Sequence, residues 1–258
     1  EDLYYAGGLP AVIKELLPQL HGDCMTVNGK TIRENNEQAP CYNTEVISSI
    51  DKPFNTTSGI IVLKGNICEH GAVIKPSAAS SDLLQHRGQA IVFEDIDDYK
   101  NKINDDNLQV DENSILVLKN VGPKGYPGMP EVGNMGIPAK LLAKGVTDMV
   151  RISDGRMSGT GFGTVILHVS PEAAAGGTLG IIQDGDIITL DVPNRLLEVD
   201  LTDEEIEKRK RSLPRNESNV ASRGYVYIYQ HHVEQAHLGA DFDFLRGGSG
   251  SAVTRDSH

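Results

Sequence analysis

The stretch NSILVLKNVGPKGYPGMPEVGNMGIPAKLLAKG, residues 113–145, contains three kinds of sequence in succession. Its first part, NSILVLKN, is an apolar run with β-branched residues, which predicts a buried strand. Its last part, IPAKLLAKG, has the spacing of a short amphipathic helix. Between them, GPKGYPGMPEVGNMG is so rich in glycine and proline that neither a helix nor a central strand can continue through it. We therefore expect a strand, a loop and a helix in that order.

Three explanations suit the glycine- and proline-rich loop, residues 122–136, which is called the Gly/Pro loop below: a phosphate cradle, a flexible linker or the wall of an active site. A phosphate cradle is disfavoured because Lys124 precedes Gly125 and no GK[ST] or GxGxxG pattern follows. The strand and helix on either side, with Tyr126 and Met129 inside, disfavour a linker. An ordered loop whose backbone closely approaches another group remains. Its one carboxylate, Glu131, is either a ligand for a hard cation such as magnesium or a solvated loop glutamate.

Outward from this stretch, the sequence after residue 58 contains further short β-branched runs, bounded by glycine, aspartate, asparagine and proline. Such runs are typical of strands in a closed or sandwiched sheet. They are GIIVLKGN, GAVIKP, GQAIVFED, DMVRIS, GTVILHVS and DIITLDV, and ITLDVPNRLLEVDL predicts a hairpin. Helices are predicted at residues 9–20, 81–86, 137–143, 171–175 and 202–211. A domain boundary is predicted near the polar segment PFNTTS, residues 53–58.

A second stretch with possible chemistry is RISDGRMSGTGFGT, residues 151–164. A strand here enters a turn of small and hydroxyl residues, whose backbone N–H groups can face an anion. Asp154 and Arg156 are candidates to flank a carboxylate-bearing substrate, and Ser158 is a candidate nucleophile or base. No GxSxG pattern surrounds Ser158, which disfavours a hydrolase. The alternative is a glycine-rich turn with capping hydroxyls.

A third stretch, LHVSPEAAAGG, has the pattern of a helix start, with Ser170 as cap, Pro171 in the first position and Glu172 in the first turn. That structural role suffices for these three residues. A histidine on a strand, such as His168, is more often a core residue than a catalyst, and the same holds for His70.

The composition of the chain limits which partners the protein can bind and in which cellular compartment it can be expected. The formal net charge is -12 over 258 residues, which disfavours nucleic acid and anionic membranes as partners. No apolar run is long enough for a transmembrane helix, and no signal-peptide pattern opens the chain, so we expect a cytoplasmic protein. The first residues lack an initiator methionine, and we expect the chain to be a fragment of a longer protein. Cys24, Cys41 and Cys68 form no CxxC pair, which predicts reduced thiols.

Taken together, GPKGYPGMPE, SDGRMSGT and HVSPEAAAGG resemble, in that order, the dihydroxy-acid dehydratase and phosphogluconate dehydratase family. GNICEHGAVIK and VFED fit the same family. YYAGGLP, GYPGMPEVGNMGIP, DMVRISD and the C-terminal DFDFL resemble its sugar-acid branch, the arabinonate and xylonate dehydratases. The resemblance covers nearly the whole chain, but only the C-terminal part of such enzymes.

The resemblance implies an α/β fold. Residues 1–55 would be the helical end of an N-terminal α/β domain, and residues 56–246 a β-barrel-like swivelling β/β/α domain flanked by helices. Residues 247–258 would form a flexible tail. The resemblance also implies as partners a sugar-acid substrate, the N-terminal domain of the same protein and further copies in a homo-oligomer.

The reaction implied by the resemblance removes water from a 2,3-dihydroxy acid to give a 2-keto-3-deoxy acid. An iron–sulfur cluster, of the 2Fe-2S type, would act on the 3-hydroxyl, and magnesium would hold the carboxylate and 2-hydroxyl. Glu131 would be a magnesium ligand and Ser158 the base, while Arg156, Gly159 and Thr160 would contact the substrate. The serine needs a strong local positive field to act as a base.

In the family the cluster cysteines and most magnesium ligands lie in the N-terminal half, so no such role passes to the three cysteines of this chain. We therefore expect the isolated chain to be inactive. The alternatives are a dihydroxy-acid dehydratase of branched-chain amino-acid synthesis and a non-catalytic swivelling binding module. A phosphohistidine carrier built on His168 or His70 is disfavoured, because no Thr-His arrangement accompanies either residue. An active site requires Glu131 and Ser158 to lie near each other.

Overall fold

The computed structural model of the protein describes residues 1–54, 59–159, 161–213 and 221–246. The chain divides into two compact units, residues 1–58 and residues 59–258, and each is described by itself. The flexible tail predicted at residues 247–258 lies outside the described residues.

In its described residues, 1–54, the first unit contains three short helices: α1 Asp2–Tyr5, α2 Gly8–Leu16 and α3 Ile32–Asn36. Helix α2, with the 3₁₀ turn Leu17–Gln19 that follows it, confirms the helix predicted over residues 9–20. Helix α3 begins at a capping box, in which the Thr31 side chain accepts from the Glu34 amide and the Glu34 carboxylate accepts from the Thr31 amide.

The second unit is built on one eight-stranded sheet with the order β1-β2-β6-β5-β4-β3-β7-β8. Its strands are β1 Ile61–Leu63, β2 Gly71–Ile74, β3 Gln85–Phe93, β4 Ile115–Leu118, β5 Arg151–Ser153, β6 Val165–Ser170, β7 Ile187–Asp191 and β8 Leu196–Val199. The four central strands, β3 to β6, pair in parallel, and the outer pairs are antiparallel. A bridge between Lys64 and Leu196 joins the two edges, so the sheet is nearly closed. This confirms the predicted barrel-like α/β fold.

The second unit also contains helices α4 Ile96–Lys102, α5 Ala139–Leu142, α6 Asp203–Ser212 and α7 Gly224–His232.

The position of strand β4 in the sheet explains why its sequence is apolar throughout. Ile115 and Val117 belong to the core inside the barrel, whereas Leu116 and Leu118 belong to an outer core with residues of α4 and α5. A strand buried on both faces has no position for a polar side chain.

Two predicted helices of this unit are wrong. Residues 81–86 form the 3₁₀ turn Ser81–Leu83, after which β3 begins at Gln85 because residues 85–89 pair with β7. Residues 171–175 contain only the 3₁₀ turn Ala173–Ala175, and Ser170 is the last residue of β6 instead of a helix cap. Helices α4 and α7 were not predicted. Thr202 does cap α6 by accepting from the Glu205 amide, as its sequence indicates.

The parallel centre of the sheet positions two loops. Strands β4 and β5 are neighbours that run in the same direction, so their carboxyl ends lie at the same edge. The Gly/Pro loop follows β4, and a second loop, residues 154–164 with Thr160 undescribed, follows β5 and is called the serine loop below. In the described parts of the chain, no helix is both long and apolar enough to cross a membrane.

Candidate active site

The start of the Gly/Pro loop is held by Glu172, which is almost fully buried. Its carboxylate accepts from the Lys124 amide at 2.9 and 3.0 Å and from the Gly125 amide at 3.0 Å. Gly125 lies so close to the Asn120 backbone that a Cβ there would come within 2.8 Å of its carbonyl. The loop is therefore ordered, and its backbone makes close approaches, as its sequence predicts.

The far end of the same loop is held by Arg151 of β5. Its guanidinium donates to the Asn134 side chain at 3.1 Å and to the Met135 carbonyl at 2.8 Å. It also pairs with Asp148 at 2.8 Å and donates to the Phe162 carbonyl of the serine loop. Both charged side chains of this pair are more than nine-tenths buried. One guanidinium thus ties the two loops to each other.

Asp154 begins the serine loop and is fully buried. One of its carboxylate oxygens accepts from the Val121 amide and the other from the Ala173 amide, both at 2.9 Å. Burial, together with the nearby charge of Glu172, raises the pKa of Asp154 to about 7. The suggestion that Asp154 flanks a substrate is wrong, because both oxygens are occupied by backbone amides inside the protein.

The two loops meet at Arg156 and Glu131. The Arg156 Nη1 lies 2.9 Å from the Glu131 Oε1, and both side chains are nearly half exposed. The Arg156 Nε donates to the Met129 carbonyl at 2.5 Å, and the Arg156 carbonyl accepts from the Gly133 amide at 2.8 Å. The structure therefore brings together Glu131 and Arg156, two of the residues that the sequence singles out.

Ser158 and Gly159 follow Arg156 along the serine loop. Ser158 is half-buried, and its carbonyl accepts from the Gly161 amide at 2.9 Å. Gly159 is exposed, and its carbonyl accepts from the Lys75 ammonium at 3.3 Å. Thr160 lies outside the described residues.

Two residues of this region were missed as site residues by sequence reasoning. Lys75 brings a second cation to the serine loop, and its signal was a lysine at the end of the GAVIK strand, within a stretch that already resembled the family. Glu172 holds the Gly/Pro loop across 47 and 48 positions of chain, so no local spacing indicates its role.

His168 also faces this region from β6. It is half-buried, and burial together with the positive charge of Arg156 lowers its pKa, which keeps the imidazole neutral at neutral pH. Its backbone φ is 55°, and its amide donates to the Gly155 carbonyl at 3.0 Å. His168 thus lies beside the serine loop without adding a charge to it.

Among the residues that the structure describes, the side chains fit one magnesium ligand but not an iron–sulfur cluster. Glu131 offers a carboxylate of the kind that magnesium prefers. Within residues 1–54, 59–159, 161–213 and 221–246, no group of three or more histidine, cysteine, aspartate or glutamate residues is arranged to hold a metal. Burial raises the pKa of the Cys68 thiol to about 12, whereas cluster ligands are thiolates. Cys24 and Cys41 belong to the other unit.

Two family models match this chain, and curated proteins are similar to it over its whole length. Residues 45–240 match the family model described as dihydroxy-acid/6-phosphogluconate dehydratase C-terminal, and residues 1–35 match the corresponding N-terminal model. The L-arabinonate dehydratase of Rhizobium leguminosarum bv. trifolii is 55% identical over 100% of this chain and 45% of its own length. The L-arabonate dehydratase of Azospirillum brasilense is 52% identical over 100% of this chain and 46% of its own length.

A more distant relative is the dihydroxy-acid dehydratase of Acetivibrio thermocellus. It is 43% identical over 93% of this chain and 43% of its own length. The chain thus spans less than half the length of these curated relatives.

Proposed function

Because the chain belongs to the dihydroxy-acid/6-phosphogluconate dehydratase family, we propose that it forms the C-terminal part of a hydro-lyase that dehydrates a sugar acid to a 2-keto-3-deoxy acid. The observation that carries this proposal is the ion pair between Arg156 and Glu131, which joins the two loops that bear the candidate residues. The identities of 55% and 52% to arabinonate dehydratases, against 43% to a dihydroxy-acid dehydratase, favour a sugar acid as substrate.

In the proposed reaction, the Ser158 oxygen removes the proton from C2 of the substrate. The hydroxyl on C3 leaves with the C3–O bonding electrons, and the enol that forms tautomerises to the 2-keto acid. The proton and the hydroxide together balance as one water molecule. A serine hydroxyl ionises only in a positive field, and Arg156 and Lys75 supply positive charge at its loop.

The remaining roles follow from charge and position. We assign Arg156, with the backbone around Gly159 and Thr160, to the carboxylate and hydroxyl groups of the substrate. Lys75 adds a second positive charge at the same loop, which favours an anionic substrate in a protein whose net charge is -12. We assign Glu131 as one ligand of a magnesium ion, which would supply Lewis acidity toward substrate oxygens.

Further ligands of magnesium and the iron–sulfur cluster would come from the rest of the enzyme, so the N-terminal part of the same protein is a required partner in this proposal. The match of residues 1–35 to the family's N-terminal model supports that partnership. We also propose a homo-oligomer in the cytoplasm. Free cysteines at Cys24, Cys41 and Cys68 support that compartment, because it keeps thiols reduced.

The test is the variant Ser158→Ala in the complete polypeptide, assayed for keto-acid formation from a panel of aldonic acids and one branched 2,3-dihydroxy acid. We expect turnover of the preferred sugar acid to fall by about 10²- to 10⁴-fold, the usual contribution of a positioned base, while iron content is retained. The matched control is Ser212→Ala, which removes a hydroxyl that bonds the Lys208 carbonyl on α6. Unchanged turnover in the Ser158 variant would remove that residue as the base.

The same assay separates the alternatives. Preferred turnover of the branched acid would favour the dihydroxy-acid dehydratase, and no turnover of any acid by the unmodified complete polypeptide would favour a binding module. The 258-residue chain alone should form no keto acid, because the side chains that the structure describes fit at most one magnesium ligand and no cluster.

A further inference from the structure

A short C-terminal segment, residues 233–238, packs against the end of β6. Its central residue, Gln235, bonds Glu172 twice: the Gln235 Oε1 accepts from the Glu172 amide at 2.9 Å, and the Gln235 Nε2 donates to the Glu172 Oε1 at 2.6 Å. Two residues on, the His237 Nδ1 lies 2.7 Å from the Ser170 Oγ. The segment is therefore attached to the strand end that carries Glu172.

The carboxylate that Gln235 contacts is the same one that holds the Gly/Pro loop. Its two oxygens accept from the amides of Lys124 and Gly125 while Oε1 also accepts from Gln235. A glutamate side chain has three rotatable bonds, and the two hydrogen bonds with Gln235 hold its backbone amide and its Oε1. The orientation of the carboxylate toward the loop thus depends on Gln235.

We propose that Gln235 is a positioning residue that, through Glu172, holds the Gly/Pro loop in the conformation in which Glu131 meets Arg156. The effect on the loop stands by itself, and the effect on turnover rests on the proposed dehydratase function. An amide suits this role because it presents an acceptor to the Glu172 backbone and a donor to the Glu172 side chain at once. Neither a carboxylate nor an alkyl side chain at position 235 does both.

The first experiment measures hydrogen exchange of individual amides in the 258-residue chain. In Gln235→Ala we expect the Lys124 and Gly125 amides to exchange about tenfold faster or more, since a hydrogen bond to a charged group loses its support. The Leu116 amide in β4 should be unchanged. The matched control is Gln230→Ala, which removes a glutamine of the same C-terminal region that accepts from the Ala221 amide. Wild-type exchange at Lys124 and Gly125 in the Gln235 variant would overturn the proposal.

The second experiment exchanges the two partners. Glu172→Gln alone places two amide NH₂ groups against each other, and Gln235→Glu alone places two carboxylates together. In the double variant, the amide on residue 172 can donate to the new carboxylate while its oxygen still accepts from the loop amides. We expect slow exchange at Lys124 and Gly125 to return in the double variant, and a double variant no slower than either single one would contradict the proposal.

In the complete polypeptide, the same three variants report on catalysis. We expect each single variant to lower kcat and to raise the magnesium concentration that gives half-maximal turnover, and the double variant to restore both. A purely structural role for Gln235 would lower the yield of folded enzyme without changing that magnesium dependence. If the exchange results hold while no variant, nor the unmodified enzyme, turns over a sugar acid, the proposed function fails and the positioning role remains.

Discussion

The Gly/Pro loop and the serine loop begin at neighbouring parallel strands, yet the protein fixes them in different ways. The Gly/Pro loop is bonded along its whole length. Glu172 accepts from its first amides, the Arg156 carbonyl accepts from the Gly133 amide, and the Tyr99 hydroxyl accepts from the Gly136 amide at 2.6 Å. Such a loop forms a rigid surface despite its glycines.

The serine loop is most deeply buried at its two ends. Asp154 is buried at its start, and at its other end the Gly163 amide donates to the Ala78 carbonyl at 2.8 Å. Between these ends Ser158 is half-buried, whereas Gly159 and Phe162 are exposed. A residue that contacts a substrate must be exposed, so in the proposed function the Gly/Pro loop mainly gives support and the serine loop contacts the substrate.

The largest effect on the two loops is expected from Arg151→Met, because one guanidinium donates hydrogen bonds to both of them. Removing it leaves Asp148 buried without its charged partner, which we expect to lower the free energy of unfolding by about 3–5 kcal/mol. The control is Arg87→Met, which removes an exposed pair with Asp200 and should cost at most about 1 kcal/mol. Urea titration measures both. Equal losses in the two variants would mean that burial of the Arg151 pair is not what holds the loops.

A smaller effect is expected at Asp154, and it depends on pH. Its folded pKa of about 7 lies above the ordinary value of 3.8, so the folded state binds its proton more tightly than the unfolded chain does. The stability from this group is therefore present below about pH 4 and is lost as the pH rises through 7.

The stability of the wild type is compared with that of the variant Asp154→Asn, whose side chain does not titrate. Its amide NH₂ meets one of the two backbone amides that the carboxylate satisfies, at a cost of about 1–3 kcal/mol. Because the contribution of Asp154 to stability falls with rising pH, this cost should be smaller at pH 8 than at pH 5 in urea titrations. A cost that is the same at pH 5 and pH 8 would show that the buried carboxylate is already ionised at both pH values.

How far the sequence alone predicts this structure depends on how local each signal is. The hairpin of β7 and β8 and the buried strand β4 were predictable because their patterns lie within single segments. Residues 81–86 were predicted wrongly because Gln85 and its neighbours take their conformation from β7, about a hundred positions away. Helix α4, with the sequence IDDYKNK, offers almost no apolar periodicity, and only its cap at Asp95 marks it.

The candidate site divides in the same way. Glu131, Arg156 and Ser158 were singled out because each stands in a recognisable stretch, but the contact between Glu131 and Arg156 was not encoded in those stretches. The bond between Glu131 and Arg156 spans 25 positions, and the bonds from Lys124 to Glu172 span 48. Only the parallel pairing of β4 and β5 brings the first pair together, and sequence patterns do not give strand order.

The smallest effect, and the most direct test of the difference between the loops, comes from one substitution made twice. In Gly125→Ala, the new methyl group would lie 2.8 Å from the Asn120 backbone, which cannot move aside, and we expect a loss of about 1–3 kcal/mol. In Gly159→Ala, nothing lies within 4 Å of the new methyl group, and the backbone is outside the left-handed region. There the loss of freedom in the unfolded chain should leave stability equal to the wild type or up to about 1 kcal/mol higher.

The free energies of unfolding of the two alanine variants, measured by urea titration, should therefore change in opposite directions from the wild-type value. At the least, they should differ from each other by more than the experimental error. Turnover in the complete polypeptide should not follow stability in these two variants, because the Gly159 methyl group projects where we place the substrate. A Gly159 variant that folds as well as the wild type and still loses turnover would separate contact from support at a single position. If instead Gly159→Ala destabilises the chain as much as Gly125→Ala does, the serine loop is packed as tightly as the Gly/Pro loop. The proposal that one loop gives support while the other contacts the substrate would then be wrong.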